Sequence, residues 1–148
     1  MTNQTLKILL ADDDDDDRLF FKEALEDIKI KTKVHTVNDG TALMEHLNQP
    51  GIPLPDMLFL DLNMPKKNGI QCLEEIRKDQ RFEELTIAIY STSGAEKDIE
   101  ETLIKGANVY IKKPNDYRSL KKIIEEALSI NWQYHTSGLN KETFLLSI

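Results

Sequence analysis

The sequence predicts an open α/β domain, a parallel sheet covered on both faces by helices. Three observations carry this. Short apolar runs alternate five times with segments of helical periodicity, and strands joined by helical crossovers come out parallel. The runs Ile8–Ala11 and Met57–Leu60 are apolar along their whole length, as buried strands are. Acids also close two of them: Asp12-Asp13 follows Ile8-Leu9-Leu10-Ala11, and Asp61 follows Met57-Leu58-Phe59-Leu60. Carboxylates at strand C-termini lie where such sheets bind ligands.

The elements follow in order. Residues 7–11 read as the first strand, and residues 17–28 as a helix with Phe21, Ala24, Leu25 and Ile28 on one face. Residues 33–37 form the second strand, Asn38-Asp39-Gly40 a turn, and residues 41–47 a helix with Leu43 and Leu47 inward. Pro50, Gly51, Pro53 and Pro55 then break the chain. Residues 56–60 are the third strand, the strongest apolar run. Residues 69–78 fit a helix burying Ile70, Cys72, Leu73 and Ile76. Residues 86–90 give the fourth strand, and residues 95–105 a helix ended by Gly106 at a C′-type position. Residues 108–111 are the short fifth strand, stopped at Pro114. Residues 116–130 form the last helix, with Leu120, Ile123, Ile124, Ala127 and Leu128 facing the core.

A chain of 148 residues suits one domain with its own core. With 30% charged and 40% hydrophobic residues it reads as soluble and globular. The net charge of -7 argues against general nucleic-acid binding, which needs a basic face. Cys72, the only cysteine, has no partner for an intrachain disulfide. No signal peptide or spanning apolar stretch is evident, so a cytoplasmic protein without membrane insertion is expected. Residues 131–148 fall outside the five-fold pattern but hold Trp132, Tyr134, Phe144, Leu145, Leu146 and Ile148. They are too apolar for a solvated tail and too few for a DNA-binding domain. We expect them to pack on the domain or on a second subunit.

Five positions fall at strand ends: Asp12, Asp13, Asp61, Ser91 and Lys113. Converging carboxylates repel one another unless a hard cation neutralises them, which points to Mg²⁺ and phosphate chemistry. A carboxylate there can attack phosphorus and form an acyl phosphate. Lys113 supplies a point charge and Ser91 a hydroxyl donor.

Four segments, residues 8–13, 60–69, 90–93 and 106–114, resemble the receiver domain of two-component response regulators. The run Asp61-Leu62-Asn63-Met64-Pro65-Lys66-Lys67-Asn68-Gly69 is close to that family's phosphoacceptor signature. The resemblance implies a flavodoxin-like (βα)5 fold with strand order 2-1-3-4-5 over residues 5–130, plus a C-terminal extension over residues 131–148. It implies that Asp61 takes a phosphoryl group from a sensor histidine kinase. Mg²⁺ would be held by Asp13, Asp61, Asp12 and the backbone carbonyl of Asn63. Ser91 would be the switch hydroxyl, Lys113 the phosphate-binding lysine and Tyr110 the switch aromatic, moving inward after Ser91 and re-shaping the face of the fourth helix, fifth strand and fifth helix. Asn63 and Ser93 would tune phosphoryl lifetime, and the Lys113-Pro114 bond would be cis. The chain looks most like stand-alone receivers of the phytochrome-associated type, whose members often form homodimers.

Competing readings are weaker. Asp12, Asp14, Asp16 and Glu23 match EF-hand positions, but Asp17 stands where the loop needs glycine. A Mg²⁺-dependent phosphohydrolase resembling the haloacid dehalogenase group would need an acid at Asn63. A degenerate receiver is disfavoured by the intact acids, Ser91 and Lys113. Asp14 to Asp17 exceed what a pocket needs and are expected to cap the first helix.

Overall fold

The computed structural model describes residues 5–129 and 145–146. The order is β1 (Leu6–Ala11), α1 (Asp15–Asp27), β2 (Thr32–Val37), α2 (Gly40–Asn48), β3 (Met57–Leu60), α3 (Gly69–Arg77), a 3-10 turn (Gln80–Phe82), β4 (Thr86–Ser91), α4 (Glu96–Ile104), β5 (Val109–Lys112), α5 (Tyr117–Ser129) and β6 (Leu145–Leu146). The parallel order β2-β1-β3-β4-β5 is the expected one. The C-terminal extension adds a sixth strand to these five: Leu145 and Leu146 pair in parallel with Tyr110 and Ile111. An edge strand leaves unpaired N–H and C=O groups, and a short apolar segment satisfies some of them by adding to it. The other residues of the C-terminal extension lie outside the described ones.

Period-two alternation divides the core into two layers. Ile8, Leu10, Phe59, Tyr90 and Ile111 meet Phe21, Ala24 and Leu25 of α1 and Leu120, Ile123 and Ile124 of α5. Leu9, Ala11, Leu58, Leu60, Ile87, Ile89 and Tyr110 meet α2, α3 and α4 through Leu43, Leu47, Leu73, Ile76 and Ile99. Burying each such large apolar side chain stabilises the fold by about 1.5–3 kcal/mol before entropy is counted. Phe21 packs edge-on to Phe59 and Tyr90, with centroids 4.9 and 5.5 Å apart, and so seats α1 on the sheet.

The same alternation sorts the strand-end residues. Asp12, Asp61 and Lys113 continue the parity of the α1/α5 layer. Ser91 continues that of the α3/α4 layer, which holds Tyr110. The helix starts match the expected chemistry. Asp14 caps α1 by accepting from Asp17 N, at 2.9 Å, so the helix begins two residues before the predicted start. Asn68 and Gln71 form a reciprocal capping box on α3. Gly106 adopts φ 101 just beyond α4, the left-handed conformation a C′ residue needs.

Candidate functional site

Backbone bonds carry the strand ladders one residue further and so fix the site residues. Asp12 N donates to Val37 O at 3.1 Å, Asp61 N to Ala11 O at 2.9 Å, and Lys113 N to Ser91 O at 2.7 Å. After Asp61 the chain turns sharply. Gly69 N donates to Leu62 O, and a β-carbon on Gly69 would stand 2.3 Å from the Asp61 carbonyl oxygen. Only glycine permits that approach, which explains the residue ending the Asp61–Gly69 run.

Asp12, Asp13 and Asp61 each offer a carboxylate oxygen within 4.8 Å of the others. Asp12 is fully buried, Asp61 is 5% exposed and Asp13 faces solvent. Lys113 Nζ lies 2.8 Å from Asp12 Oδ2 and 3.7 Å from Asp61 Oδ2. Burial pushes the Asp61 carboxyl up to about 7; Lys113 opposes that shift, and Asp12 and Asp13 reinforce it. Burial pulls the Lys113 ammonium down, but bonds to Asp12 and Asp17 outweigh it and hold its pKa above the ordinary lysine range.

The donor set fits a hard divalent cation. All three side-chain donors are carboxylates, and Asp12 Oδ2 is buried with an ion pair but no directed hydrogen bond. The Asn63 amide donates to Asp61 Oδ1 at 3.4 Å, which places its peptide beside the acceptor carboxylate.

Ser91 is fully buried and its Oγ accepts from Ser93 N at 3.1 Å. Tyr110 is also fully buried, and its hydroxyl donates to Ser93 O at 2.8 Å. The expected cis bond is a correction: no cis peptide bond occurs among the described residues, so Pro114 follows a trans bond. Trans is favoured by about 0.5–1 kcal/mol at X-Pro, and the carboxylates themselves draw Lys113 into the pocket.

Two residues gained roles the sequence reading had not given them. Asp17, expected only to cap, accepts from Lys113 Nζ at 2.8 Å. Ser93 ties Tyr110 to α4, since its Oγ donates to Asp98 Oδ2 at 2.6 Å and accepts from Ala95 N at 3.1 Å. The sequence signal for Asp17 was positional: on the third residue of α1 it shares a layer with Asp12 and Lys113.

A doubly wound domain with buried acids on β1 and β3 and a lysine beyond β5 defines a class, the phospho-accepting receivers. Comparison with known proteins agrees. The response regulator receiver domain model matches residues 8–125, and the chain belongs to that family. It is 30% identical over 122 residues to response regulator Rcp1 of Synechocystis sp., covering 80% of this chain and 83% of that protein. It is 31% identical over 121 residues to chemotaxis protein CheY of Pseudomonas aeruginosa, covering 82% and 94%. The phosphorylated cyanobacterial phytochrome response regulator RcpA superposes with a TM-score of 0.79 at 33% identity, covering 84% of this chain and 91% of that one. The Mn²⁺-bound form of Rcp1 gives 0.76 at 29% identity, covering 84% and 93%. The chain is thus a phospho-accepting signalling module. Among the described residues no helix is long and apolar enough to cross a membrane.

Proposed function

We propose that Asp61 is the residue that receives the phosphoryl group, from a phosphohistidine on a sensor histidine kinase in the cytoplasm. The observation that carries this is the placing of Asp61: buried between Asp12 and Lys113, with its carboxyl pKa raised to about 7. Asp12, Asp13, Asp61 and the Asn63 carbonyl would hold Mg²⁺. When bound, that cation neutralises the carboxylates and the charge on the transferring phosphoryl oxygens. The remaining work falls to the chain. Asp61 supplies the attacking oxygen in line with the P–N bond, which breaks and leaves its electron pair on the histidine. Lys113 offers an ammonium proton to a phosphoryl oxygen, and Ser91 a hydroxyl.

Buried Tyr110 and its bond to Ser93 then connect the site to β5 and α4, part of the α4, β5 and α5 face proposed to change its partners with phosphorylation. The pairing of β6 with Tyr110 and Ile111 makes the C-terminal segment part of that face. Similarity to the phytochrome response regulator RcpA supports a phytochrome-type kinase as partner, and a homodimer is the assembled form this reading expects. Asn63 stands where a phosphohydrolase would need its acid, and its amide faces Asp61. The test is label from radioactive acetyl phosphate with Mg²⁺. Uptake should fall at least about 100-fold in Asp61→Asn and vanish with a chelator; undiminished labelling of Asp61→Asn would remove Asp61 from this role.

A further inference from the structure

Asp17 stands apart from every other acid of the Asp12–Asp17 run. Asp14 is spent on the helix cap, and Asp15 pairs with Arg18. In a capping box the third helical residue reaches back to the N-cap amide. Here that amide, Asp14 N, donates instead to Asp12 Oδ1 at 3.0 Å, so the Asp17 carboxylate is free to turn inward. It accepts a directed hydrogen bond from Lys113 Nζ at 2.8 Å, almost an ångström closer than Asp61 Oδ2 comes to the same nitrogen. Lys113 is 8% exposed while the Asp17 side chain is 34% exposed, so the carboxylate holds the lysine from the rim of the pocket. Tyr90 lies beneath the ammonium, with its ring centroid 5.2 Å away.

Of the three carboxylates around Lys113, Asp12 and Asp61 belong to the candidate metal cluster and Asp17 does not. Once a cation claims the oxygens of the first two, Asp17 is the remaining competitor for the ammonium. We propose that Asp17 is a positioning residue that competes with a phosphoryl group on Asp61 for Lys113, and so weakens this receiver's hold on its phosphorylated state. The inference rests on Asp61 being the acceptor.

The test uses the full chain, saturating Mg²⁺ and the beryllium trifluoride anion, a phosphoryl mimic that an acceptor carboxylate takes up. Binding is followed by the integral of the protein-bound ¹⁹F resonances. Asp17→Asn is expected to bind the mimic about five-fold more tightly, the equivalent of one partly buried ion pair. Asp16→Asn removes the same charge from the same helical turn, and should shift affinity far less. Asp17→Ser, with a hydroxyl suited to a first turn, should reproduce the gain if Asp17→Asn folds poorly. Equal shifts in Asp17→Asn and Asp16→Asn would reduce the effect to general charge and overturn the proposal. Weakened binding would show that Asp17 aids Lys113 rather than competes for it, and would overturn it too. A wild-type chain that takes up no mimic at all would defeat the acceptor reading itself, and this inference with it.

Discussion

At the N-terminal edge of the sheet Arg77 spreads its guanidinium over four neutral oxygens: Gly106 O at 2.8 Å, Phe82 O at 2.9 Å, Leu85 O at 2.8 Å and Asn108 Oδ1 at 2.9 Å. At the C-terminal edge Lys113 faces three carboxylates, with a fourth, Asp13, in the cluster beside them. Each edge thus holds a cation, but the first places four of its five N–H protons on neutral acceptors and the second is outnumbered by carboxylates. A matched cation fastens α3 to the entries of β4 and β5. An outnumbered one leaves an excess of negative charge, which a divalent cation would neutralise. The chemistry sits where the fold is electrostatically unfinished.

Substitutions at the two edges should separate accordingly. Arg77→Ala removes four hydrogen bonds and should cost about 3 kcal/mol in urea unfolding, while Mg²⁺ binding by the folded fraction stays unchanged. A loss under about 0.5 kcal/mol would erase the contrast. Gly69→Ala forces a β-carbon against the Asp61 carbonyl. It should cost about 2 kcal/mol and weaken cation binding as well, because the same turn sets stability and acceptor geometry.

At the acidic edge a loss of function should stabilise. The folded Asp61 carboxyl titrates near 7 against an ordinary 3.8, so between these values the folded chain keeps a proton that the unfolded chain has lost. Stability therefore falls as pH rises through that window, and the full penalty stands above it. Asp61→Asn should stabilise the metal-free chain by about 2 kcal/mol at pH 8. The gain should be gone by about pH 4, and a pH-independent gain would contradict the assignment. A smaller effect follows from the same group: Mg²⁺ affinity should drop up to about ten-fold per unit as pH falls below 7, since the cation must displace the Asp61 proton. Calorimetric titration at three pH values reads this directly.

Much of this was legible in the sequence. Strand signals and their helical spacers placed five strands within a residue or two; in β3 and β4, buried throughout, burial on both faces leaves little choice of residue. The acids closing β1 and β3 marked the pocket, because a buried carboxylate is costly without a purpose. Other features depend on tertiary direction. Nothing local tells whether the Asp17 carboxylate turns to its helix or to Lys113, ninety-six residues away. The burial of Tyr110 depends on the core its strand joins. The role of Arg77 has no counterpart in the sequence, since three of its four acceptors are backbone carbonyls and carry no side-chain signature.

The central claim, that the unfinished edge is completed by a phosphoryl group on Asp61, is tested most directly by mapping the bond. The full chain is treated with acetyl phosphate and Mg²⁺, reduced with borohydride, digested and sequenced by mass spectrometry. Reduction converts an aspartyl phosphate to homoserine. The expected result is homoserine at position 61 alone; homoserine at position 12, 13 or 17, or at none, would contradict it.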